Sequence, residues 1–156
     1  MRIGHGYDAH RFCENKPLRM GGVTIESPLG LLAHSDGDVV LHAVIDALLG
    51  AAGLGDIGKL YPDTDQTYAG IDSRILLRDT ASRLADRGLA VEYLDITIVA
   101  QKPKLASYMD AMKQTISADL GILPERMNIK ATTEEKMGFT GRLEGISTHA
   151  VCLLKE

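Results

Sequence analysis

The chain has 156 residues, 45% of them hydrophobic and 24% charged. That balance belongs to a folded chain of about one domain, and excludes a disordered tail or a membrane-embedded bundle. Lysine and arginine number 17 against 21 aspartate and glutamate, a net charge of -4. A sequence-independent nucleic-acid binder carries a basic excess, so neither a nucleic-acid nor a membrane partner is expected.

There is no Trp, and only two Phe and five Tyr, so the core must be aliphatic. Cys13 and Cys152 stand in no metal-type or redox-type spacing. The chain opens on Met1-Arg2-Ile3, without an apolar leader or an Arg/Ser-rich transit stretch. Its longest apolar run, 39–54, is broken by His42, Asp46 and two glycines. A cytoplasmic location is therefore expected, with no bilayer span.

In chain order, residues 2–10 read as a strand ending in a polar cluster, and 18–25 as two short strands around Gly21-Gly22. Ser35-Asp36-Gly37 supplies cap chemistry for a helix over about 37–50, with Val40, Leu41, Ala43, Val44, Ala47 and Leu48 at helical spacing. A second helix follows Asp72-Ser73 and leads to Gly88. Val91 to Ala100 is β-branched, alternates from Leu94 onward, and is closed by Pro103. A third helix spans about 106–120 and stops at Gly121, and 127–131 and 145–154 supply the last strands. This order predicts an α+β fold: one domain over 1–156, a mixed sheet covered by helices.

Asp8 and His10, two apart on a strand, leave the same face. His42 lies on the first helix between Asp38 and Asp46, at i−4 and i+4 on one helical face. One carboxylate with two imidazoles suits zinc, manganese or iron, and three protein ligands leave a position open, as in a catalytic zinc. The ligands carry one negative charge, so a bound divalent cation leaves the site receptive to anions. A carboxylate one turn from His42 is expected to accept its second ring N–H and fix its tautomer. The competing reading is a surface polar pair and a solvated helix face; spacing alone leaves both open.

Three loops have phosphate-binding character. His34-Ser35-Asp36-Gly37 opens a helix, where free backbone N–H groups bind anions. The stretch from Gly53 to Lys59 is glycine-rich without P-loop spacing, and Pro62-Asp63-Thr64-Asp65 follows it. Thr132 with Glu135 forms a capping-box pattern, two hydroxyls (Thr132 and Thr133) at a helix start beside a carboxylate able to hold magnesium.

Taken together, Asp8-Ala9-His10, the run from Ala33 to Asp38 with His42, Gly55-Asp56-Ile57-Gly58 and Pro62-Asp63-Thr64-Asp65 resemble the 2-C-methyl-D-erythritol 2,4-cyclodiphosphate synthase family. So do Ala100-Gln101-Lys102-Pro103-Lys104, the run from Lys130 to Lys136, and Gly138-Phe139-Thr140-Gly141-Arg142, all in the family's order and spacing. The resemblance implies a homotrimer with active sites between subunits. The implied reaction is conversion of 4-diphosphocytidyl-2-C-methyl-D-erythritol 2-phosphate to the cyclic 2,4-diphosphate and CMP, in the non-mevalonate route to isoprenoid precursors.

Carried over residue by residue, Asp8, His10 and His42 would ligate zinc, and Glu135 a magnesium or manganese ion on the diphosphate. His34 and Thr133 would stabilise the transition state as catalytic groups. Asp8, His10, His34, Ser35, Asp56, Ile57, Gly58, Tyr61, Pro62, Asp63, Thr64 and Asp65 would meet the methylerythritol phosphate end. From the adjacent subunit, Ala100, Gln101, Lys102, Pro103, Lys104, Leu105, Ala106, Thr132, Thr133, Glu134 and Glu135 would hold the cytidine diphosphate. Phe139 and Arg142 would lie near the substrate or the trimer axis. Leu143 departs from the family pattern, which has a small residue, often Gly, at that position. A fused cytidylyltransferase domain is not expected in 156 residues. Two other readings share the loops: a trimeric nucleotide-binding regulatory protein without turnover, and a metal-dependent phosphohydrolase.

Overall fold

The computed structural model describes residues 1–156, and the parity of its first strand organises the rest. Strand β1 (Arg2–Cys13) buries Gly4 and Gly6 and half-buries Asp8 and His10, while Ile3, His5, Tyr7 and Ala9 are exposed on the other face. A hairpin of β2 (Leu18–Met20) and β3 (Val23–Ile25) turns at Gly21-Gly22, as the sequence predicts. The two-residue β4 (Gly30–Leu31) pairs with the end of β1. It is too short to show periodicity, so the sequence did not reveal it.

Helix α1 (Val39–Ala52) begins later than expected, because the cap is Asp38, whose side chain accepts from Leu41 N–H. Twelve of its residues are buried, so it is a central helix rather than a surface one. A one-turn α2 (Ile57–Leu60) occupies the loop read as glycine-rich coil. Helix α3 (Ser73–Ala85) starts at the predicted cap, Asp72. Strand β5 (Ala90–Val99) has a bulge between Val91 and Tyr93, which is why its alternation begins only at Leu94.

The predicted third helix is a 3-10 turn (Ala106–Tyr108) followed by α4 (Met109–Leu120), ending at Gly121 in the left-handed conformation. Strand β6 (Met127–Thr132), the short α5 (Gly138–Gly141) and β7 (Gly145–Lys155) complete the chain. No helix opens at Thr132: Glu135 and Lys136 have positive φ, and Thr132 Oγ1 donates to the Thr133 carbonyl. The capping-box reading is thus overturned.

The sheet order is β4-β1-β7-β5-β6, with only β5 and β6 parallel. This is the α+β mixed sheet the sequence predicts. Leu94, Ile96, Ile98, Ala150, Cys152 and Leu154 join α1 in one aliphatic core. Opposite the core, Ile3, Tyr7, Tyr93 and Val151 remain exposed on the uncovered face. No helix is long and apolar enough to cross a membrane.

Candidate active site

The site exists because β1 and α1 touch backbone to backbone. A Cβ built on Gly6 would overlap the Ala43 carbonyl, and one on Gly4 would overlap that of Ala47. Two residues beyond Gly6, Asp8 projects toward the helix. One residue before Ala43, His42 projects toward the strand. Close approach at the glycines therefore delivers ligand groups from both elements to one point.

There, Asp8 Oδ2 is 2.8 Å from His10 Nε2 and 3.1 Å from His42 Nδ1, and the two ring nitrogens are 3.2 Å apart. A tetrahedral zinc with bonds of about 2.0–2.1 Å separates its ligand atoms by about 3.3–3.4 Å. The triangle needs to open by only a few tenths of an ångström, so these residues fit a zinc-type ion.

Burial by itself would raise the Asp8 carboxyl, but hydrogen bonds from His10 and His42, with the charge of both rings, hold it well below the usual carboxylate range. Burial likewise disfavours a charged His42, yet the Asp8 hydrogen bond and the charges of Asp8, Asp38 and Asp36 raise its pKa above the ordinary value. A field that holds protons at this point also favours a divalent cation in their place.

The carboxylates one turn from His42 are committed elsewhere. Asp38 is fully buried and accepts from Gly21 N (2.8 Å), Gly22 N (2.7 Å) and Leu41 N (3.0 Å). Asp46 accepts from Ile57 N at 2.7 Å. The second ring nitrogen, His42 Nε2, instead meets Ser73 Oγ at 2.9 Å and Ser35 Oγ at 3.2 Å. The expected neighbouring carboxylate is thus replaced by hydroxyls. Ser73 was legible only as a helix start, since nothing local links it to His42.

A cavity of about 420 Å³ is lined by the three ligand residues and by His34, Ser35, Ile57, Gly58, Tyr61 and Asp63. Tyr68, Ile71 and Leu76 add an apolar wall that the sequence did not reveal. His34 Nε2 lies 3.1 Å from the Asp65 carbonyl; a carbonyl only accepts, so that nitrogen carries the proton. Asp56 caps α2 through Lys59 N, and Asp65 caps the next turn through Thr67 N; neither is part of the cavity wall. Pro62 and Thr64 also lie outside its lining.

In the 34–37 loop, Asp36 N is spent on Ile71 O and Gly37 N on Ser35 Oγ, and Asp38 N binds Asp36 Oδ1, which leaves the N–H groups of His34 and Ser35 for an anion.

Ala100, Gln101, Pro103, Lys104, Leu105, Ala106, Thr132 and Thr133 line a separate cavity of about 250 Å³. Beside it, Thr133 Oγ1 donates to Glu135 Oε1 at 3.0 Å, and Gln101 Oε1 accepts from Lys136 N. Glu134 is committed to Thr140 Oγ1, and Lys102 lines another pocket with Leu143. Phe139 and Glu144 border a third cavity that shares His10 with the first, and Arg142 pairs with Glu144 at 2.8 Å. Within one chain, the Asp8 and Thr133 groups therefore line different cavities.

A family model described as the YgbB family matches residues 1–155. A protein of Pseudomonas entomophila named 2-C-methyl-D-erythritol 2,4-cyclodiphosphate synthase is 59% identical over 154 residues, covering 99% of this chain and 98% of its own. The bifunctional IspDF of Campylobacter jejuni superposes with a TM-score of 0.95 at 46% identity, over 99% of this chain and 42% of that longer one. A Plasmodium falciparum IspF solved as a CDP complex gives 0.86 at 35% identity, over 98% of this chain and 94% of its own. With the ligand triangle, the cavities and the whole length in agreement, the chain belongs to the YgbB family, the family of the 2-C-methyl-D-erythritol 2,4-cyclodiphosphate synthases.

Proposed function

We propose that this chain is a metal-dependent cyclising phosphorus–oxygen lyase that converts 4-diphosphocytidyl-2-C-methyl-D-erythritol 2-phosphate to 2-C-methyl-D-erythritol 2,4-cyclodiphosphate and CMP. The observation that carries the reading is the Asp8–His10–His42 triangle within the 420 Å³ cavity, in a chain 59% identical to a protein of that name. On this reading it serves the non-mevalonate isoprenoid route in the cytoplasm. Zinc sits at Asp8, His10 and His42, and magnesium or manganese at Glu135 and the substrate diphosphate.

The working form is a homotrimer. Two features support it: the uncovered sheet face that leaves Ile3, Tyr7, Tyr93 and Val151 exposed, and the division of the proposed substrate contacts between two cavities of one chain. A neighbouring copy would bring its Thr132–Glu135 and 100–106 segments to the first cavity.

The attacking group is the substrate's own 2-phosphate oxygen, already ionised at neutral pH, so no side chain has to act as base. It forms the new bond to the β-phosphorus while the bond to CMP breaks, and the chain's task is alignment and charge neutralisation. Holding both phosphates of one molecule in line contributes up to about 7–11 kcal/mol. Bound metal ions would supply Lewis-acid polarisation of phosphate oxygens.

His34, its Nε2–H tied to the Asp65 carbonyl, presents a fixed ring to the first cavity. Thr133 is oriented by its bond to Glu135. Gly58 leaves room for the sugar phosphate, and Ile57 offers it an apolar contact.

A phosphorus NMR time course with this substrate, zinc and magnesium tests the proposal. Two coupled cyclic-diphosphate resonances with stoichiometric CMP, lost on chelation, are expected. Tight CDP binding without CMP formation would overturn it in favour of a regulatory binding protein. Solvent oxygen in an acyclic product would point to a phosphohydrolase.

A further inference from the structure

His42 reaches the ligand triangle through Nδ1, and a ring nitrogen binds a metal only through a free lone pair. Its other nitrogen, Nε2, must then carry the proton. Which nitrogen carries it is set by the polarity of the hydrogen bonds behind the ring.

Behind His42, the bonds run in one direction. Ser73 Oγ donates to Asp36 Oδ1 at 2.5 Å, and Asp36 is otherwise surrounded by donors: Ser73 N at 3.0 Å on Oδ2 and Asp38 N at 3.1 Å on Oδ1. With its only hydrogen committed to that carboxylate, Ser73 Oγ can offer His42 Nε2, 2.9 Å away, nothing but a lone pair. The contact is therefore Nε2–H donating to Ser73.

Ser35 lacks this constraint. Its Oγ accepts from Gly37 N but keeps a hydrogen free to point at Nε2 from 3.2 Å, which would favour the wrong tautomer. The wrong neutral tautomer keeps its proton on Nδ1, the one donated to Asp8 in the metal-free protein, where it occupies the metal's position.

We infer that Ser73 and Asp36 are positioning residues that fix the tautomer of His42, so that Nδ1 faces the metal with its lone pair free. Neither residue touches the metal or the substrate; they act through His42. The inference rests on the zinc reading above, and goes beyond it by naming what keeps the ligand in its binding form. Both residues come from outside α1: Asp36 from the preceding loop and Ser73 from the first turn of α3, 31 positions beyond His42.

The test is zinc affinity of the full-length protein, measured with zinc chloride in competition with a chromophoric chelator. Ser73→Ala removes the acceptor and leaves Ser35 alone behind the ring. Asp36→Asn keeps the shape but supplies an amide that can donate to Ser73 Oγ, turning the serine hydrogen toward His42. Each is expected to weaken zinc binding by roughly 10–100-fold. Ser73→Thr retains the hydroxyl and is expected to restore the wild-type value.

The absorption spectrum of the cobalt(II)-substituted protein should shift in Ser73→Ala and return in Ser73→Thr; a merely packing role would leave the cobalt bands unmoved. Melting temperatures of the metal-free variants separate any loss of fold. If wild type binds one zinc and both Ser73→Ala and Asp36→Asn bind it equally well, the tautomer proposal is overturned while the zinc site stands. If wild type binds no zinc that His42→Ala abolishes, the zinc reading itself fails.

Discussion

The backbone of Gly6 in β1 lies against the carbonyl of Ala43 in α1, closer than any side chain at position 6 would allow. The neighbouring residues, Asp8 and His42, are two of the three groups in the ligand triangle. Strand–helix packing and site assembly are thus one event. Gly6→Ala must push the helix away, and overpacking of this kind costs about 3 kcal/mol. The expected result is a lower melting temperature together with weaker zinc binding. Unchanged zinc affinity in a folded variant would separate the two.

His42→Ala removes one corner of the triangle and also severs the contacts to Ser73 and Ser35. Turnover, measured as CMP released, is expected to fall by more than about 100-fold. The oligomeric state in size-exclusion chromatography should persist, since His42 is buried within its own chain. Undiminished CMP release would remove zinc from this position.

Asp38 holds the start of α1 and the β2–β3 turn together through three backbone N–H groups. Asp38→Ala leaves those donors buried without partners and removes the helix cap. A loss on the order of 2–4 kcal/mol is expected in denaturant unfolding. Asp36→Asn keeps one of two carboxylate acceptors and leaves one backbone N–H, of Ser73 or Asp38, facing an amide, so a smaller loss of about 1 kcal/mol is expected and the two acidic neighbours are distinguishable.

Cys152 is buried against α1, with its Sγ 3.3 Å from the Ala47 carbonyl. Burial pushes its thiol up from 9.0 to about 11. Between those values the folded chain keeps a proton that the unfolded chain releases, so stability must fall as pH rises through this window. The full effect is on the order of 2–3 kcal/mol. Chemical denaturation at pH 8 and pH 11 reads it as the part of the slope that Cys152→Ala removes; Tyr61, whose pKa burial also raises, contributes to both proteins. In native protein at pH 8, a thiol reagent should label Cys13, which is partly exposed, and reach Cys152 only on unfolding.

Much of the fold was legible because its elements carry strong local signals. The Gly21-Gly22 turn, the Asp72 cap of α3, the aliphatic alternation of β5 and the Gly121 stop of α4 are all local features of the chain. The missed pieces, β4, α2 and α5, are two to four residues long and hold their shape through contacts with distant segments. The capping-box pattern at Thr132 misled because Thr133 and Gln101 offer the 132–136 backbone and side chains other partners.

By itself, the sequence determined the period of each main element, the shared face of Asp8 and His10, and the ligand chemistry of one carboxylate with two imidazoles. Those follow from residue type and from repeats of two or 3.6 residues, which are properties of a few neighbouring positions. Only the tertiary structure decided that His42 would meet the strand, and that Ser73 with Asp36 would stand behind its ring. It also assigned Asp38 and Asp46 to backbone N–H groups instead. Those choices depend on which distant donors and acceptors are left unpaired once the core has closed, and no local pattern records that competition.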